Sequence, residues 1–217
     1  MSANATEYRS FCPDPHVEVR KAGDKLKILL LASVFNKLSE DLGGYREIIR
    51  PGAFDATLED VAAGTRDVAA RVQHDGGMTT IGRVTNDTLK LWTDERGLWA
   101  EITPPDTQVG RDITKLVEDR YINKASFAFM VRPGGVMWHS GDESELREIL
   151  DVDLYDVAPV DGPAYPDTVA QTRSAQAPGI KRERELAMRG LVPTRDEIKA
   201  GVQEELHNAK TVHARIG

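Results

Sequence analysis

Hydrophobic and polar positions alternate over short stretches of the chain, a pattern typical of β-strands with two different faces. The most regular stretch is NKASFAFMV at 123–131. One face of the predicted strand carries four apolar residues: Ala125, Phe127, Phe129 and Val131. Ser126 lies on the opposite face. The pattern therefore predicts a strand anchored by its aromatic side chains, with a single hydroxyl on the other side.

Further apolar or alternating stretches predict strands along most of the chain. They lie at 25–35, 67–72, 80–84, 89–93, 98–103 and within 146–160. The three stretches from 80 to 103 are expected to form a β-meander.

Two helices are also expected. One spans 57–63, with Thr57 and Asp60 in capping-box spacing, and an amphipathic one spans about 107–118. Many short strands with few helices predict a mainly β fold with peripheral helices (α+β), built as a closed or partly open β-barrel flanked by helices.

The composition changes along the 217 residues and predicts three parts. Residues 1–24 are expected to be a flexible lead-in, 25–172 one folded domain, and 173–217 a helical or disordered appendage. The last part has nine Lys and Arg against six Asp and Glu, whereas 1–172 carry a net charge of −10. The appendage is therefore electrostatically distinct from the domain.

Charge and hydropathy exclude several classes of function. The net charge of −7 argues against a direct nucleic-acid binder, which would need a concentrated basic face. The longest apolar run, 28–32, is too short to cross a membrane, and the N-terminal residues lack a signal-peptide core. Cys12 is the single cysteine, so no disulfide forms within the chain. We expect a cytoplasmic protein without membrane contact.

Ser126 and His74 are the candidates for catalytic chemistry. Hydrolysis by a serine needs a base within hydrogen-bond reach and an acid that orients the base. Among the five histidines, only His74 joins a predicted core strand to a Gly-rich turn. Each residue also has a structural interpretation. Ser126 could be a filler that hydrogen-bonds a carbonyl, His74 a solvated loop residue, and the acids between 148 and 156 a solvated face.

Other chemistries lack their motifs. No Gly-x-Ser-x-Gly elbow surrounds a serine, and no phosphate-binding Gly-rich loop ends in Gly-Lys-Ser/Thr. Neither His-Glu-x-x-His nor paired Cys-x-x-Cys is present. The sequence therefore predicts no cofactor and no metal.

Six segments resemble, in order, the prohead protease family of tailed bacteriophages, serine proteases of capsid maturation related to herpesvirus assemblin. They are SVFNKLSEDLGGYREIIRPGAF, VQHD, IGRV, LKLWTDERGLWAEITPPDT, KASFAF and DLYDVAPVDGPAYPDT, and the resemblance covers about 25–173. Each motif is common by itself, but the collinear combination is specific. The resemblance implies that 25–172 form a protease domain with an assemblin-like barrel.

The resemblance also implies the roles of the site residues. Ser126 would be the nucleophile, His74 the general base and Asp156 the acid behind it, with Asp153 in reserve. Two departures stand out: Ala128 replaces a frequent glycine, and DVAPV replaces the more usual EVSVV. An aspartate is one methylene shorter than a glutamate, so the backbone must bring Asp156 closer to His74.

The function implied is a serine endopeptidase that cleaves scaffold or internal segments of the capsid protein, and itself, during procapsid maturation. Its partners would be the major capsid protein and scaffold, with a homodimer by analogy to assemblin, inside the immature procapsid in the host cytoplasm. A rival hypothesis is a catalytically inactive protease-fold assembly factor that organises scaffold and keeps His74 and Ser126 apart. A third hypothesis is a general β-barrel binding module.

Overall fold

The computed structural model describes residues 6–10, 17–23, 25–74, 80–141, 145–161, 183–186 and 188–189. Twelve strands are present in these ranges: β1 (Glu7–Ser10), β2 (Val17–Ala22), β3 (Lys25–Val34), β4 (Tyr45–Ile49), β5 (Ala69–Arg71), β6 (Thr80–Arg83), β7 (Leu89–Thr93), β8 (Gly97–Ile102), β9 (Lys124–Val131), β10 (Val136–His139), β11 (Glu145–Ile149) and β12 (Val152–Val160). Two α-helices, α1 (Asp55–Ala62) and α2 (Gln108–Glu118), a 3₁₀ turn at Val84–Asn86 and a short helical stretch at 183–186 accompany them.

The strands form three hydrogen-bonded sheets within the described ranges. The largest has the order β1-β9-β12-β5-β6, the second β10-β11-β4, and the third β2-β3-β8-β7. Most neighbours are antiparallel, but β12 runs parallel to β5, and β11 runs parallel to β4. The five-stranded sheet positions the candidate site, because it contains the strands on which Ser126 and Asp156 lie.

Aromatic side chains form the centre of the hydrophobic core. Phe127 and Phe129 are fully buried, and their rings stack with centroids 5.2 Å apart. Phe54 packs edge-on against Phe127 at 5.5 Å. The predicted anchoring of β9 by its aromatic face is therefore confirmed, and it fixes the strand on which Ser126 lies.

The mainly β class with few helices is confirmed, but the closed barrel is wrong. Closure needs an unbroken hydrogen-bonded ladder from the last strand back to the first. In the described ranges β1 and β6 are the two edges of the five-stranded sheet, and no ladder joins them. The assemblin-like barrel is therefore not confirmed.

The predicted meander is also wrong, because β6 pairs with β5 while β7 and β8 join the sheet of β3.

The predicted helices are present, but the cap of the first differs. The N-cap of α1 is Phe54, which makes no side-chain capping bond. Thr57 instead lies inside the helix and is buried, where its hydroxyl donates to the carbonyl of Val152 and accepts from the amide of Leu154. The hydroxyl therefore joins the helix to β12. In α2, Thr107 caps the N-terminus by accepting from the amide of Gly110.

The interval 1–24 was expected to be a flexible lead-in, yet it contains β1 and β2. β2 pairs along its whole length with β3, and β1 pairs with β9. Local hydrophobicity did not reveal these strands, because partners distant in sequence hold them. Most of the predicted appendage at 173–217 lies outside the described residues, and the three-part division stays a prediction.

Candidate active site

Ser126 lies near the start of β9, on the face opposite the buried phenylalanines. The register of β9 places it opposite Ala158 of β12 on one side and Ser10 of β1 on the other. Ser126 is fully buried, at 0% relative exposure. Its backbone is therefore fixed by strands on both sides.

His74 follows β5 in a tight turn. Gln73 and His74 both have positive φ, 54° and 58°, a left-handed conformation that non-glycine residues adopt with some strain. The amide of Gln73 donates to the carbonyl of Pro159 at 3.3 Å, which ties the turn to β12. The turn directs the imidazole back toward the sheet, where only 6% of the side chain is exposed.

A β-bulge places Asp156 on the same face as Ser126. Leu154 lies opposite Phe129, but Asp156, two residues later, lies opposite Ala128, so Tyr155 is an extra residue in the ladder. Without the bulge, Leu154 and Asp156 would share a face, since the side-chain period of a strand is two. The bulge keeps Leu154 in the core and turns Asp156 toward Ser126.

The three side chains form a continuous hydrogen-bonded chain. His74 Nε2 lies 2.6 Å from Ser126 Oγ, and His74 Nδ1 lies 2.5 Å from Asp156 Oδ1. Because a carboxylate only accepts, Nδ1 carries the hydrogen, and in the neutral imidazole Nε2 is then the acceptor. This tautomer is the one a general base for Ser126 requires.

Their arginine partners distinguish the two acids predicted for this site. Asp156 is nearly buried, and its second oxygen accepts from Arg71 at 3.3 Å. Asp153, the reserve, accepts instead from Arg66 and Arg132, at 2.6 and 2.7 Å. Asp153 is thus engaged in ion pairs, whereas the bulge has brought Asp156 to His74.

Sequence reasoning missed the residues of β1 that belong to the site. The backbone carbonyl oxygen of Arg9 lies 2.7 Å from Ser126 Oγ and is a second possible acceptor for its single hydrogen. The ring of Tyr8 packs edge-on against the imidazole of His74, with centroids 4.8 Å apart. The only local signal was the alternation of EYRS at 7–10, which is too short to predict a strand alone.

A cleft of about 320 Å³ opens beside the carboxylate of Asp156. Tyr8, Arg71 and Tyr155 are among the residues that line it. A larger cavity of about 680 Å³ lies between the start of β3 and α2, and its lining includes none of the three site residues. The larger cavity is therefore not the candidate active site, which is identified by its hydrogen bonds.

Among the residues that the structure describes, no group of three or more His, Cys, Asp or Glu side chains could hold a metal ion. Within the same ranges, no helix is long and apolar enough to span a membrane.

A mainly β protein with a buried serine, histidine and aspartate in one hydrogen-bonded chain has the arrangement of a serine hydrolase. The family model of the caudovirus prohead serine proteases matches residues 16–182. The chain therefore belongs to this family, which confirms the resemblance seen in the sequence. The family supports a capsid-maturation serine protease of a tailed phage.

Among solved structures, the chain is similar to the capsid assembly protease gp21 of bacteriophage T4. The identity is 11%, the TM-score 0.45, and the match covers 73% of this chain and 97% of that one. No curated protein sequence matches the chain significantly.

Proposed function

We propose that this protein is a serine endopeptidase in which Ser126 is the nucleophile, His74 the general base and Asp156 the acid that orients the base. The observation that carries the proposal is the hydrogen-bonded chain of these three side chains. Ser126 and Asp156 lie 52 and 82 residues from His74 along the sequence. Because they are so far apart in sequence, their contact depends on the fold and is specific.

Each side chain has a defined role in peptide hydrolysis. Ser126 Oγ attacks the scissile carbonyl carbon as its proton moves to His74 Nε2. The C–N bond then breaks, and His74 gives the proton to the leaving amine. Water, activated by the same imidazole, hydrolyses the acyl-enzyme. Asp156 holds the Nδ1 tautomer and stabilises the imidazolium, while Arg71 holds the second carboxylate oxygen.

The substrates proposed are scaffold protein and internal segments of the major capsid protein, together with the protease chain itself. The place of action would be the interior of the immature procapsid in the host cytoplasm. Residues 25–172 would form the protease domain, and 173–217 a region that is trimmed. These assignments are supported by the family, whose described role is in the prohead. A homodimer remains a prediction, and activity that rises with protein concentration would support it.

The inactive assembly factor was the rival hypothesis. It requires that His74 and Ser126 be separated or misoriented. The 2.6 Å distance between Nε2 and Oγ favours the enzyme instead.

Replacement of the nucleophile tests the proposal directly. With the capsid and scaffold proteins of the same phage as substrates, Ser126→Ala should lower the cleavage rate by about 10⁴-fold or more, because no alcohol remains to attack. Cleavage is followed by gel electrophoresis and mass spectrometry.

The matched control is Ser140→Ala, which removes an exposed hydroxyl outside the site. It should cleave at the parent rate. Processing by the Ser126→Ala protein at the parent rate would refute the assignment.

A further inference from the structure

Substrate access to Ser126 is blocked in this structure. Ser126 has no exposed surface, and only 6% of the His74 side chain and 3% of the Asp156 side chain are exposed. A serine nucleophile must contact the carbonyl carbon of its substrate. Part of the surrounding structure must therefore move before a peptide can react.

β1 is the element that covers the site from the edge of the sheet. It pairs antiparallel with β9, with Ser10 opposite Ser126 and Tyr8 opposite Ala128. Opposite residues share a face, so the side chain of Tyr8 lies on the same face as Ser126. This explains the contact of its ring with His74.

The carbonyl of Arg9 also competes for the proton that catalysis needs. Ser126 has one hydroxyl hydrogen, and two acceptors lie within reach: the Arg9 carbonyl oxygen at 2.7 Å and His74 Nε2 at 2.6 Å. If the hydrogen goes to Arg9, Nε2 can bond Oγ only by carrying a proton itself. A protonated imidazole cannot act as a base, so the bond to Arg9 opposes the attack.

Buried ion pairs hold β1 in this position by its other face. Arg9 donates two hydrogen bonds to the carboxylate of Glu47 on β4, at 2.7 and 2.9 Å. Glu7 accepts two from Arg147 on β11, both at 2.8 Å. A four-residue edge strand is weakly held by its backbone alone. The charged side chains therefore attach β1 to β4 and β11, in addition to its backbone pairing with β9.

We infer that β1 is a built-in inhibitory strand, which covers Ser126 and His74, draws the Ser126 hydroxyl to the Arg9 carbonyl, and is held by the ion pairs of Arg9 and Glu7. The inference rests on the proposed function and adds a regulation of the same site. Release of β1 uncovers the edge of β9 beside Ser126. An extended peptide strand can then bind there.

Two measurements on the whole 217-residue chain separate the position of β1 from the chemistry of Ser126. Amide hydrogen exchange of residues 7–10, read by mass spectrometry, reports release of the strand. The rate of labelling by a fluorophosphonate reports the reactivity of Ser126. In that reaction an Oγ–P bond forms, the P–F bond breaks, fluoride leaves and His74 takes the proton.

Arg9→Ala removes the attachment to Glu47, while Arg147 still pairs with Glu47 at 2.8 Å. The amide exchange rate of residues 7–10 and the labelling rate of Ser126 should both rise by about tenfold or more, because charge-assisted hydrogen bonds hold the strand. Arg9→Lys should give intermediate rates, since lysine keeps the charge but loses the bidentate geometry. The matched control Arg111→Ala loses only an exposed pair with Asp106 and should behave as the parent.

Tyr8→Ala provides a second variant that leaves the ion pairs intact. It removes the ring from His74 and should also speed labelling, whereas Tyr8→Phe keeps the ring and should label as slowly as the parent. If Arg9→Ala lost its cooperative thermal unfolding, the Tyr8 pair would decide the question. Equal labelling of Tyr8→Ala and Tyr8→Phe would then overturn the inference.

The remaining outcomes distinguish the two proposals. Labelling of the parent as fast as Arg9→Ala would overturn the inhibitory role of β1 and leave the protease proposal standing. Exchange at 7–10 that is unchanged in Arg9→Ala would refute the attachment by Arg9. No Ser126-dependent labelling in any variant, although 7–10 exchange freely, would refute the proposed function itself. The double variant Arg9→Ala/Ser126→Ala gives the background rate.

Discussion

Two aspartates three positions apart on β12 have different environments. Asp156 is nearly buried against His74 and Arg71, while Asp153 is partly exposed between Arg66 and Arg132. The difference arises from the bulge at Tyr155, which turns Asp156 toward the face of Ser126. The chemical role of a carboxylate is thus decided by what surrounds it.

One isosteric substitution at each aspartate distinguishes the roles of the two residues. Asp156→Asn should lower kcat by roughly 10⁴-fold, because an amide no longer holds the Nδ1–H tautomer or stabilises the imidazolium. Asp153→Asn loses only partly exposed ion pairs and should cost about 1 kcal/mol of stability or less. Peptide cleavage and urea unfolding of both variants test this. A larger loss of kcat in Asp153→Asn would reverse the assignment.

At the scale of elements, helix α2 begins against a loop that leaves no room for a side chain at Gly110. A Cβ built at this position would lie 2.0 Å from the carbonyl oxygen of Pro105. The amide of Gly110 also donates to the capping hydroxyl of Thr107. The glycine therefore allows the close approach between the helix and the proline loop.

Gly110→Ala is expected to destabilise the protein, although alanine is ordinarily the better helix former by about 1 kcal/mol. Relief of the clash would displace the Pro105 loop and cost about 1–3 kcal/mol. The free energy of unfolding in urea measures the effect. Arg111→Ala, at the next position and exposed, serves as the control and should change stability by about 0.5 kcal/mol or less. A stabilised Gly110→Ala protein would contradict the close approach.

At the scale of the whole molecule, one cluster of buried charges joins segments that are distant in sequence. Arg147 is fully buried and contacts Glu7 of β1, Glu47 of β4 and Glu183 of the short helical stretch at 183–186. Arg9 completes the cluster through Glu7 and Glu47. Removal of one partner would leave the remaining buried charges with less compensation, which is destabilising.

The cluster makes stability depend on pH through Glu7. Burial by itself would raise the pKa of Glu7, but Arg147 and Arg9 lower it from 4.5 to about 2. A lowered folded-state pKa stabilises the protein above the unfolded-state value. The contribution is therefore complete above about pH 4.5 and is lost as the pH falls toward about 2. By linkage it amounts to up to about 3 kcal/mol.

Comparison with Glu7→Gln isolates this contribution from other titrating groups. The groups around Glu7 are Arg9 on its own strand, Arg147 of β11, and Glu47 and Tyr45 of β4. At about pH 6 the parent should be more stable than Glu7→Gln in urea, and the difference should shrink as the pH is lowered to about 3. A difference independent of pH would mean that Glu7 is not the titrating group.

Local pattern determined much of the fold. The alternation at 89–93 predicted β7 with its observed bounds, and the helical spacing after Pro105 predicted α2 to within one residue. Both predictions succeeded because the period of a strand or helix decides which face each side chain lies on. The family could also be identified from the sequence, because its motifs occur in order along the chain. The sequence also identified the candidates Ser126 and His74, whose catalytic roles stay a prediction.

Only the tertiary structure decided how these elements combine. The bulge at Tyr155, the three separate sheets and the pairing of β1 with β9 arise from contacts between residues far apart in sequence. Arg9 shows why local pattern cannot reveal them. In the sequence, Arg9 lies near Glu7 and looks like an ordinary solvated charge. In the structure it is buried against Glu47, 38 residues away. This burial is stable only because the folded strands bring the opposite charges together.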